Sequence, residues 1–386
     1  SPFQGITAEE KFDFFLGKTV FEKFWVASPS STTASDGLGP VFNARSFHSC
    51  HLNNGRGHAP AEGQNGSRIP SFFLRLSVAA PDNATSSPLK GGVIPEPNYG
   101  TQFQTNAVPG IPAEGDFVVH YDSVPVTLAN GSQVILRKPR YQWTQLNYGD
   151  FSQNTRFSGR VSPALVGTGL LDSVKDADIL AGADPDDIDG NGISGKANRV
   201  WDKAAQIWRV GRFGWKAGAP TLSQQNQGAF NGDIGLSTQM NPFASGECTS
   251  AQIQCIQAPN GNSVHMDGLE ANQKMTDLVD LYTSLSAPAP MRNLQTVEFK
   301  QGKAIFDQLE CAACHTPKLT TGPDSPYKVL RNRTFYPFTD LLLHDMGDGL
   351  ADNRDEYEAN GREWRTAPLW GIGLTQQVSG RTGFLH

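Results

Sequence analysis

Near its C-terminus the chain reads Cys311-Ala312-Ala313-Cys314-His315. Two thiols separated by two residues can each form a thioether with a haem vinyl group, and the histidine that follows then becomes the proximal ligand of the iron. The alternative is half of a zinc site, which needs a second Cys or His pair at comparable spacing. No such pair follows Cys314. The motif therefore predicts a covalently bound haem c and a redox protein.

The other three of the five cysteines divide into a pair and a single residue. Cys248 and Cys255 lie in a polar stretch and are close enough in sequence to close a small disulfide loop. Cys50 precedes His51 in a C-x-x-C-H run whose first position holds Phe47. Haem can bind there through a single thioether, with His51 as the proximal ligand. Alternatively, Cys50 is a free buried cysteine beside an ordinary histidine, and the motif alone leaves both interpretations open.

Composition narrows the class of protein. Forty glycines and 25 prolines in 386 residues indicate a loop-rich chain with moderate helix content. The formal net charge of −6 argues against a nucleic-acid partner, and no segment approaches the roughly 20 apolar residues of a membrane helix. The chain begins at Ser1, as it would after signal-peptide cleavage. Because haem c assembly and a disulfide both belong outside the cytosol, we expect a bacterial periplasmic or secreted protein.

Helix signals precede both Cys-His motifs. A capping box at Thr7 opens an amphipathic helix, and a second predicted helix from Val297 to Leu309 leads into the C-terminal motif. Between about residues 59 and 160 the chain is rich in Pro, Gly and Asn, with short β-like runs that indicate insertions. We therefore expect a mainly α-helical fold with two cytochrome c-like haem domains and with loop-rich, short β insertions in the first.

The Pro/Ala stretch at residues 286–290 predicts the boundary between these domains. The N-terminal domain would comprise residues 1–287, and the C-terminal cytochrome c domain would comprise residues 288–386.

Four further stretches resemble one protein family. They are residues 36–46 (DGLGPVFNARS), 211–218 (GRFGWKAG), 343–347 (LHDMG) and 363–371 (EWRTAPLWG). In this order they resemble the di-haem oxidoreductases, a branch of the bacterial di-haem cytochrome c peroxidase superfamily. That superfamily also contains the di-haem rubber oxygenases and the enzymes that mature methylamine dehydrogenase. The resemblance covers nearly the whole chain, is weakest over the insertions, and implies two haems and peroxidase-like chemistry.

The resemblance also implies a haem at Cys50 and His51, because relatives carry a haem site at that place. Relatives usually have both cysteines, so Phe47 leaves one thioether there, or no haem. Axial coordination by His51 survives the change, because the ligand is the imidazole.

The end of the chain departs from the family pattern as well. Phe384-Leu385-His386 resembles the start of a longer family segment that supplies the distal ligand of the C-terminal haem. We therefore expect a truncated C-terminal domain, whose haem is five-coordinate or takes His344, Met346 or His386 as a substitute distal ligand. A single Met or His is also a common packing or hydrogen-bonding residue.

By resemblance, the two haems have different roles. The C-terminal haem at His315 transfers electrons, and the N-terminal haem at His51 reacts with peroxide or another small oxidant. Trp215 aligns with the inter-haem tryptophan segment of the peroxidases and is either a charge relay or a core tryptophan. Lys216 is either a distal ligand, if burial deprotonates its amine, or a lysine paired with a carboxylate.

The acidic loop at residues 184–198 is a candidate calcium site. Asp187, Asp189 and Asn191 offer oxygen ligands at alternate positions. Asn198 stands where an EF-hand has its bidentate glutamate, so a full EF-hand is not supported. The alternative is an Asp/Gly turn without an ion. The resemblance favours calcium, because superfamily members hold this ion between their haem domains.

Two functions are compatible with these features. The first is a periplasmic di-haem oxidoreductase that reduces peroxide, or oxidises another substrate, and exchanges electrons with a small cytochrome or other redox protein. The second is a non-catalytic electron-transfer subunit of a larger assembly. An open, high-spin haem favours the enzyme, whereas two six-coordinate, low-spin haems favour the carrier. The oligomeric state stays open.

Overall fold

The computed structural model describes residues 1–32, 34–79 and 89–380. Helices account for 26% of the chain and strands for 24%, so the expectation of a mainly α-helical fold is wrong. The physical reason is twofold. Several helices last only four or five residues between Gly- and Pro-rich turns, and the segment predicted as insertions forms the longest strand ladders of the molecule.

Of the helices among the described residues, α1 and α8 lie where the sequence predicted them. They are α1 Ala8–Glu22, α2 Phe47–Cys50, α3 Thr168–Asp172, α4 Asp176–Leu180, α5 Leu222–Gly232, α6 Ile253–Ile256, α7 Gln273–Leu285, α8 Val297–Gln308 and α9 Thr375–Ser379. The predicted capping box of α1 is confirmed, since Thr7 Oγ1 accepts from Glu10 N at 3.0 Å and Glu10 Oε2 accepts from Thr7 N at 2.7 Å. None of the described helices is long and apolar enough to cross a membrane.

The strands form several small sheets. They are β1 Val26–Ala27, β2 Asp36–Leu38, β3 Val41–Phe42, β4 Gln64–Asn65, β5 Phe72–Val78, β6 Asn106–Ala107, β7 Gly115–Thr127, β8 Gln133–Leu146, β9 Thr155–Val161, β10 Gly195–Lys196, β11 Arg199–Asp202, β12 Ile207–Val210, β13 Leu319–Thr320, β14 Thr334–Phe335, β15 Leu343–Asp345 and β16 Glu363–Arg365. The longest ladders are antiparallel: β5 pairs with β9, and β7 lies between β4 and β8.

Two hydrophobic cores position these elements. The larger core joins distant parts of the chain, since Phe21, Phe230 and Leu341 belong to one cluster of buried side chains. The smaller core contains Phe72 of β5 and Phe117 of β7. The sheet β10–β15–β16 also joins residues on both sides of position 287. The division into two domains at that position stays a prediction.

Candidate functional site

The C-terminal Cys-His motif follows α8 directly. Glu310 adopts a left-handed conformation with φ of 56°, which ends the helix and starts a single 3₁₀ turn from Cys311 to Ala313. His315 Nδ1 lies 3.0 Å from the carbonyl oxygen of Phe338. A carbonyl can only accept, so the proton is on Nδ1 and the lone pair is on Nε2, which is the arrangement of a metal-ligating histidine.

Helix α8 presents an apolar surface beside this motif. None of its residues is buried, and Val297 and Ile305 are 65% and 54% exposed; Leu309, directly after the helix, is 67% exposed. Clustered exposed apolar side chains mark a surface that another apolar body covers. A porphyrin attached at Cys311 and Cys314 is such a body, so the residues around the C-terminal motif fit haem.

The N-terminal motif lies on α2, a short helix that Ser46 caps by accepting from Ser49 N at 3.2 Å. His51 follows the helix, and its Nδ1 donates to the carbonyl oxygen of Pro163 at 2.8 Å. Burial lowers the pKa of His51 to about 4, although the Pro163 hydrogen bond acts in the opposite direction. The imidazole is therefore neutral at pH 7 with its lone pair on Nε2, as iron coordination requires.

The other two positions of the N-terminal motif are buried. The Phe47 ring stacks on Phe21 at 5.3 Å and meets Phe230 edge-on at 4.6 Å, so an aromatic cluster occupies the place of the first cysteine. Cys50 Sγ donates to the carbonyl oxygen of Pro70 at 2.9 Å, and burial raises the pKa of the thiol. The imidazole fits a haem ligand, while the attachment through Cys50 stays a prediction.

Trp215 lies against the segment that holds the N-terminal motif. Its Nε1 donates to the carbonyl oxygen of Val161 at 2.7 Å, at the end of β9 and two residues before Pro163. The hydroxyl of Ser162, between these two residues, donates to the carbonyl oxygen of Cys50 at 2.5 Å. Trp215 is thus connected with Cys50 through two hydrogen bonds made by the adjacent residues Val161 and Ser162.

Trp215 also contacts the segment beside the C-terminal motif. Its carbonyl oxygen accepts from Arg365 N of β16 at 2.8 Å. Strand β16 pairs with β15, where Arg365 lies opposite Leu343, and the next residue, His344, lies 3.6 Å from Cys314 Sγ through its Nδ1. The tryptophan is therefore hydrogen-bonded to β9 and β16, each of which leads to a residue that contacts one motif.

The comparison with known families agrees with this arrangement. The family model described as "Di-haem oxidoreductase, putative peroxidase" matches residues 1–386, the entire sequence. The chain belongs to this di-haem oxidoreductase family. The resemblance identified from the sequence is thereby confirmed, and membership supports haem cofactors and an oxidoreductase activity with redox partners. Searches of curated proteins and of solved structures found no match.

Of the three candidate substitute distal ligands in this di-haem oxidoreductase, His344 forms a charged pair with Asp340. His344 Nε2 donates to Asp340 Oδ2 at 2.7 Å. Burial would lower the pKa of His344, but hydrogen bonds to Asp340 and Cys314 outweigh it and raise this pKa to about 10. An imidazolium has no lone pair for iron. Met346 is half-buried just beyond β15, and His386 lies outside the described residues.

Lys216 is completely buried and makes three polar contacts. Its Nζ donates to the carbonyl oxygens of Asn360 at 2.7 Å and Glu363 at 3.0 Å, and it lies 3.1 Å from Asp352 Oδ1. Burial lowers the pKa of Lys216, while Asp352 acts in the opposite direction. Three acceptors match the three N–H groups of an ammonium, so the structure favours the lysine paired with a carboxylate over a haem ligand.

The acidic loop brings three carboxylates together. Ligand oxygens of Asp184, Asp187 and Asp189 all lie within 4.8 Å of one another. Asn191 instead turns its side chain to the loop, donating to Asp189 at 3.0 Å and accepting from Ile193 N at 2.7 Å. The predicted loop begins at Asp184, but the predicted ligands were Asp187, Asp189 and Asn191; in the structure Asp184, which forms an antiparallel bridge with Gly195, takes the place of Asn191.

Cys248 and Cys255 are joined by a disulfide in the structure. Cys255 lies on α6 and is completely buried. The other cysteines of the chain, Cys50, Cys311 and Cys314, form no disulfide, which leaves them available for thioether formation.

The sequence analysis also missed the residues that orient the two histidines. Pro163 and Phe338 act through backbone carbonyls, so their side-chain types carry no signal. Asp340 was missed for a related reason. Its spacing of four residues from His344 would suggest a pair on a helix, but here His344 lies on β15 and Asp340 lies in the loop before that strand.

Proposed function

We propose that this chain is a peroxidase-like c-type di-haem oxidoreductase of the bacterial periplasm. One observation carries the proposal: His51 and His315 each follow a cysteine and each donate Nδ1–H to a backbone carbonyl, at 2.8 and 3.0 Å. Two separate segments of the chain have thus been shaped to orient an imidazole as a metal ligand.

In this proposal Cys311 and Cys314 hold one haem by two thioethers, and Cys50 holds the other by one. His315 and His51 are the proximal ligands. Haem c would supply an iron that changes oxidation state and reacts with peroxide. The C-terminal site would receive electrons from a small cytochrome or other redox protein, and the N-terminal site would meet the oxidant.

The side chains between the two motifs support this division of roles. Trp215 donates its indole N–H to Val161 and accepts from Arg365 N through its backbone carbonyl, and we assign it the relay of charge between the sites. His344 and Asp340 form a buried hydrogen-bonded pair beside Cys314.

The test is a pyridine haemochrome assay with haem counted per chain, followed by ferric spectra with and without hydrogen peroxide. Two haems, with a high-spin signal that responds to peroxide, are expected. His51→Gly should abolish the response and added imidazole should restore it, whereas His48→Gly, in the same motif, should leave it unchanged. One haem per chain, or two low-spin haems inert to peroxide, would overturn the catalytic proposal.

The second candidate function is the non-catalytic electron-transfer subunit. The burial of Cys50, with Sγ hydrogen-bonded to Pro70, favours it, because an unattached N-terminal site would leave the C-terminal haem as the covalent one. The haem count together with the response of the ferric spectrum to peroxide decides between the two functions.

We also infer a structural calcium ion at Asp184, Asp187 and Asp189, whose oxygens converge as hard-cation ligands do. Calcium should raise the melting temperature of the protein and a chelator should lower it. Asp184→Asn should remove this dependence, and Asp178→Asn, an exposed aspartate outside the loop, should not.

A further inference from the structure

A two-stranded arm extends from the smaller core. It consists of the far halves of β7 and β8 with their connecting turn, residues 121–141, and is called the arm below. Every residue from Asp122 to Arg140 is exposed. The strands stay paired to the tip, where Thr127 lies opposite Gln133. At roughly 3.4 Å per residue, the exposed part of β7 is about 17 Å long.

The apolar side chains change face along β7. In the core, Phe117 and Val119 are buried on one face of the strand. In the arm, Val124 and Val126 are the apolar residues, and alternation along a strand places them on the opposite face. The pairing with β8 is regular beyond Phe117, so no β-bulge returns Val124 and Val126 to the face that Phe117 occupies. The apolar face of the arm therefore cannot continue the core of its own chain.

Cross-strand pairing gathers this apolar face into one patch. Val124 lies opposite Leu136, and Val126 lies opposite Val134, with Leu128 beyond them at the turn. These side chains are 36–49% exposed. Apolar residues grouped on one face of a ribbon that has no core beneath it indicate a contact surface. Strand β8 is also the edge of its sheet, which leaves its outer backbone groups available for pairing.

The charge of the arm points to the partner. Asp122 is its only acidic residue and Arg137, Lys138 and Arg140 are basic, so the arm carries a net charge of +2. The whole chain carries −6, which leaves −8 for the remainder. A second copy of this chain is therefore electrostatically complementary to the arm.

Helix α1 offers a matching surface. It buries Phe14, Gly17 and Phe21 against the larger core, whereas Phe12, Phe15 and Leu16 form an exposed stripe at helical spacing. The helix carries four acidic residues, Glu9, Glu10, Asp13 and Glu22, against two lysines, Lys11 and Lys18. The exposed stripe of α1 is thus apolar and lies among acidic residues. The arm has one apolar face and carries its basic residues near the smaller core.

We propose that the arm docks on the exposed stripe of α1 in a second copy of this chain, and that two copies exchange arms in a symmetric dimer. The contact removes both apolar faces from water. It also brings the basic residues Arg137, Lys138 and Arg140 of the arm close to the acidic residues of α1. No residue of either surface belongs to a Cys-His motif.

The test is the mass of the full, haem-loaded chain by size-exclusion chromatography with light scattering over a range of concentrations. The wild type should reach twice the 41.8 kDa of one chain. Leu136→Gln should raise the dimer dissociation constant about tenfold, as loss of a central apolar contact does. Ile135→Gln changes the next residue, which is 67% exposed but on the opposite face, and should leave the constant within about twofold.

The receiving surface has its own matched pair of variants. Phe15→Gln on α1 should weaken the dimer, whereas Phe243→Gln, at a phenylalanine that is 74% exposed elsewhere, should not. Raising the salt concentration should also weaken the dimer, because it screens the opposite charges. Circular dichroism should be unchanged in all four variants, since each position is exposed.

Three outcomes would overturn the proposal. A wild-type chain that stays monomeric at every concentration excludes the dimer and leaves the arm to a different protein. Equal effects of Leu136→Gln and Ile135→Gln exclude the apolar face as the contact. Dissociation by Leu136→Gln without any effect of Phe15→Gln excludes α1 as the receiving surface.

Discussion

The N-terminal and C-terminal Cys-His motifs orient their histidines by the same hydrogen bond but lie in opposite surroundings. His51 donates to Pro163 and His315 donates to Phe338, both through Nδ1. The N-terminal motif lies on a buried helix, with Phe47 and Cys50 in the protein interior. The C-terminal motif follows α8, none of whose residues is buried.

This difference separates two tasks that a c-type motif combines. Orientation of the ligand depends on a backbone carbonyl and survives any change of the cysteines. Covalent attachment depends on thiols, and at the N-terminal motif Phe47, which packs on Phe21 and Phe230, stands in the position of the first one.

The strongest test of this comparison removes the thiols of one motif at a time. Cys311→Ser with Cys314→Ser should cost the protein its C-terminal haem, because that exposed site has little packing to retain an unattached porphyrin. Cys50→Ser should keep both haems under native conditions, because His51 still ligates, but should make one haem extractable by acid acetone. Haem per chain before and after extraction measures both effects. Equal loss from the two variants would contradict the comparison.

The next test restores the missing cysteine. Phe47→Cys should lower the free energy of unfolding by about 3 kcal/mol, because it removes the ring that packs on Phe21 and Phe230. If a second thioether forms, the α-band of the N-terminal haem should move to the position of a doubly attached haem. Phe47→Ala is the control, with a similar loss of stability and no band shift. A stable Phe47→Cys protein would show that the aromatic cluster is not what excludes the cysteine.

A smaller effect is expected where the two regions meet. Trp215→Phe keeps an aromatic ring but leaves the carbonyl oxygen of Val161 without its donor, at a cost of about 1 kcal/mol. If Trp215 relays charge, stopped-flow spectroscopy should show slower electron transfer between the haems. Trp208→Phe, on β12, should leave that rate unchanged. Unaltered transfer in Trp215→Phe would reduce Trp215 to a packing residue.

The smallest effect concerns the exposed face of α8. In chain expressed without haem attachment, Ile305→Gln should change the free energy of unfolding by less than about 0.5 kcal/mol, because the side chain is 54% exposed. In the haem-loaded protein the loss should rise to about 1 kcal/mol, because the porphyrin covers this face. Ile207→Gln, at a residue 53% exposed on β12, should behave identically in both forms. Equal losses for Ile305→Gln with and without haem would place the porphyrin elsewhere.

Sequence patterns predicted the local elements better than the architecture. The capping box of α1 and the extent of α8 followed from residues within a few positions of one another. The mainly α-helical fold was wrong because β7 and β8 were taken for short insertions, whereas pairing over more than ten positions makes them the longest ladder. Strand pairing joins residues far apart in sequence, so propensity alone understated it.

The residues of the candidate site also divide into those that the sequence predicts and those whose role only the fold shows. The spacing of Cys311, Cys314 and His315 predicts haem chemistry without any knowledge of the fold, because attachment and ligation use neighbouring residues. The choice for Lys216 between a ligand and a charged pair needed Asp352, which is 136 positions away along the chain.

Sequence alone therefore established the family, the two Cys-His motifs and the helices that precede them, since each depends on residue types at short spacing. Only the tertiary structure decided which carbonyls orient His51 and His315, which residues are hydrogen-bonded to Trp215, and which face of the arm is apolar. Those features arise from long-range hydrogen bonds and strand register. Such contacts depend on the backbone path of the folded chain, and no local pattern of side chains encodes that path.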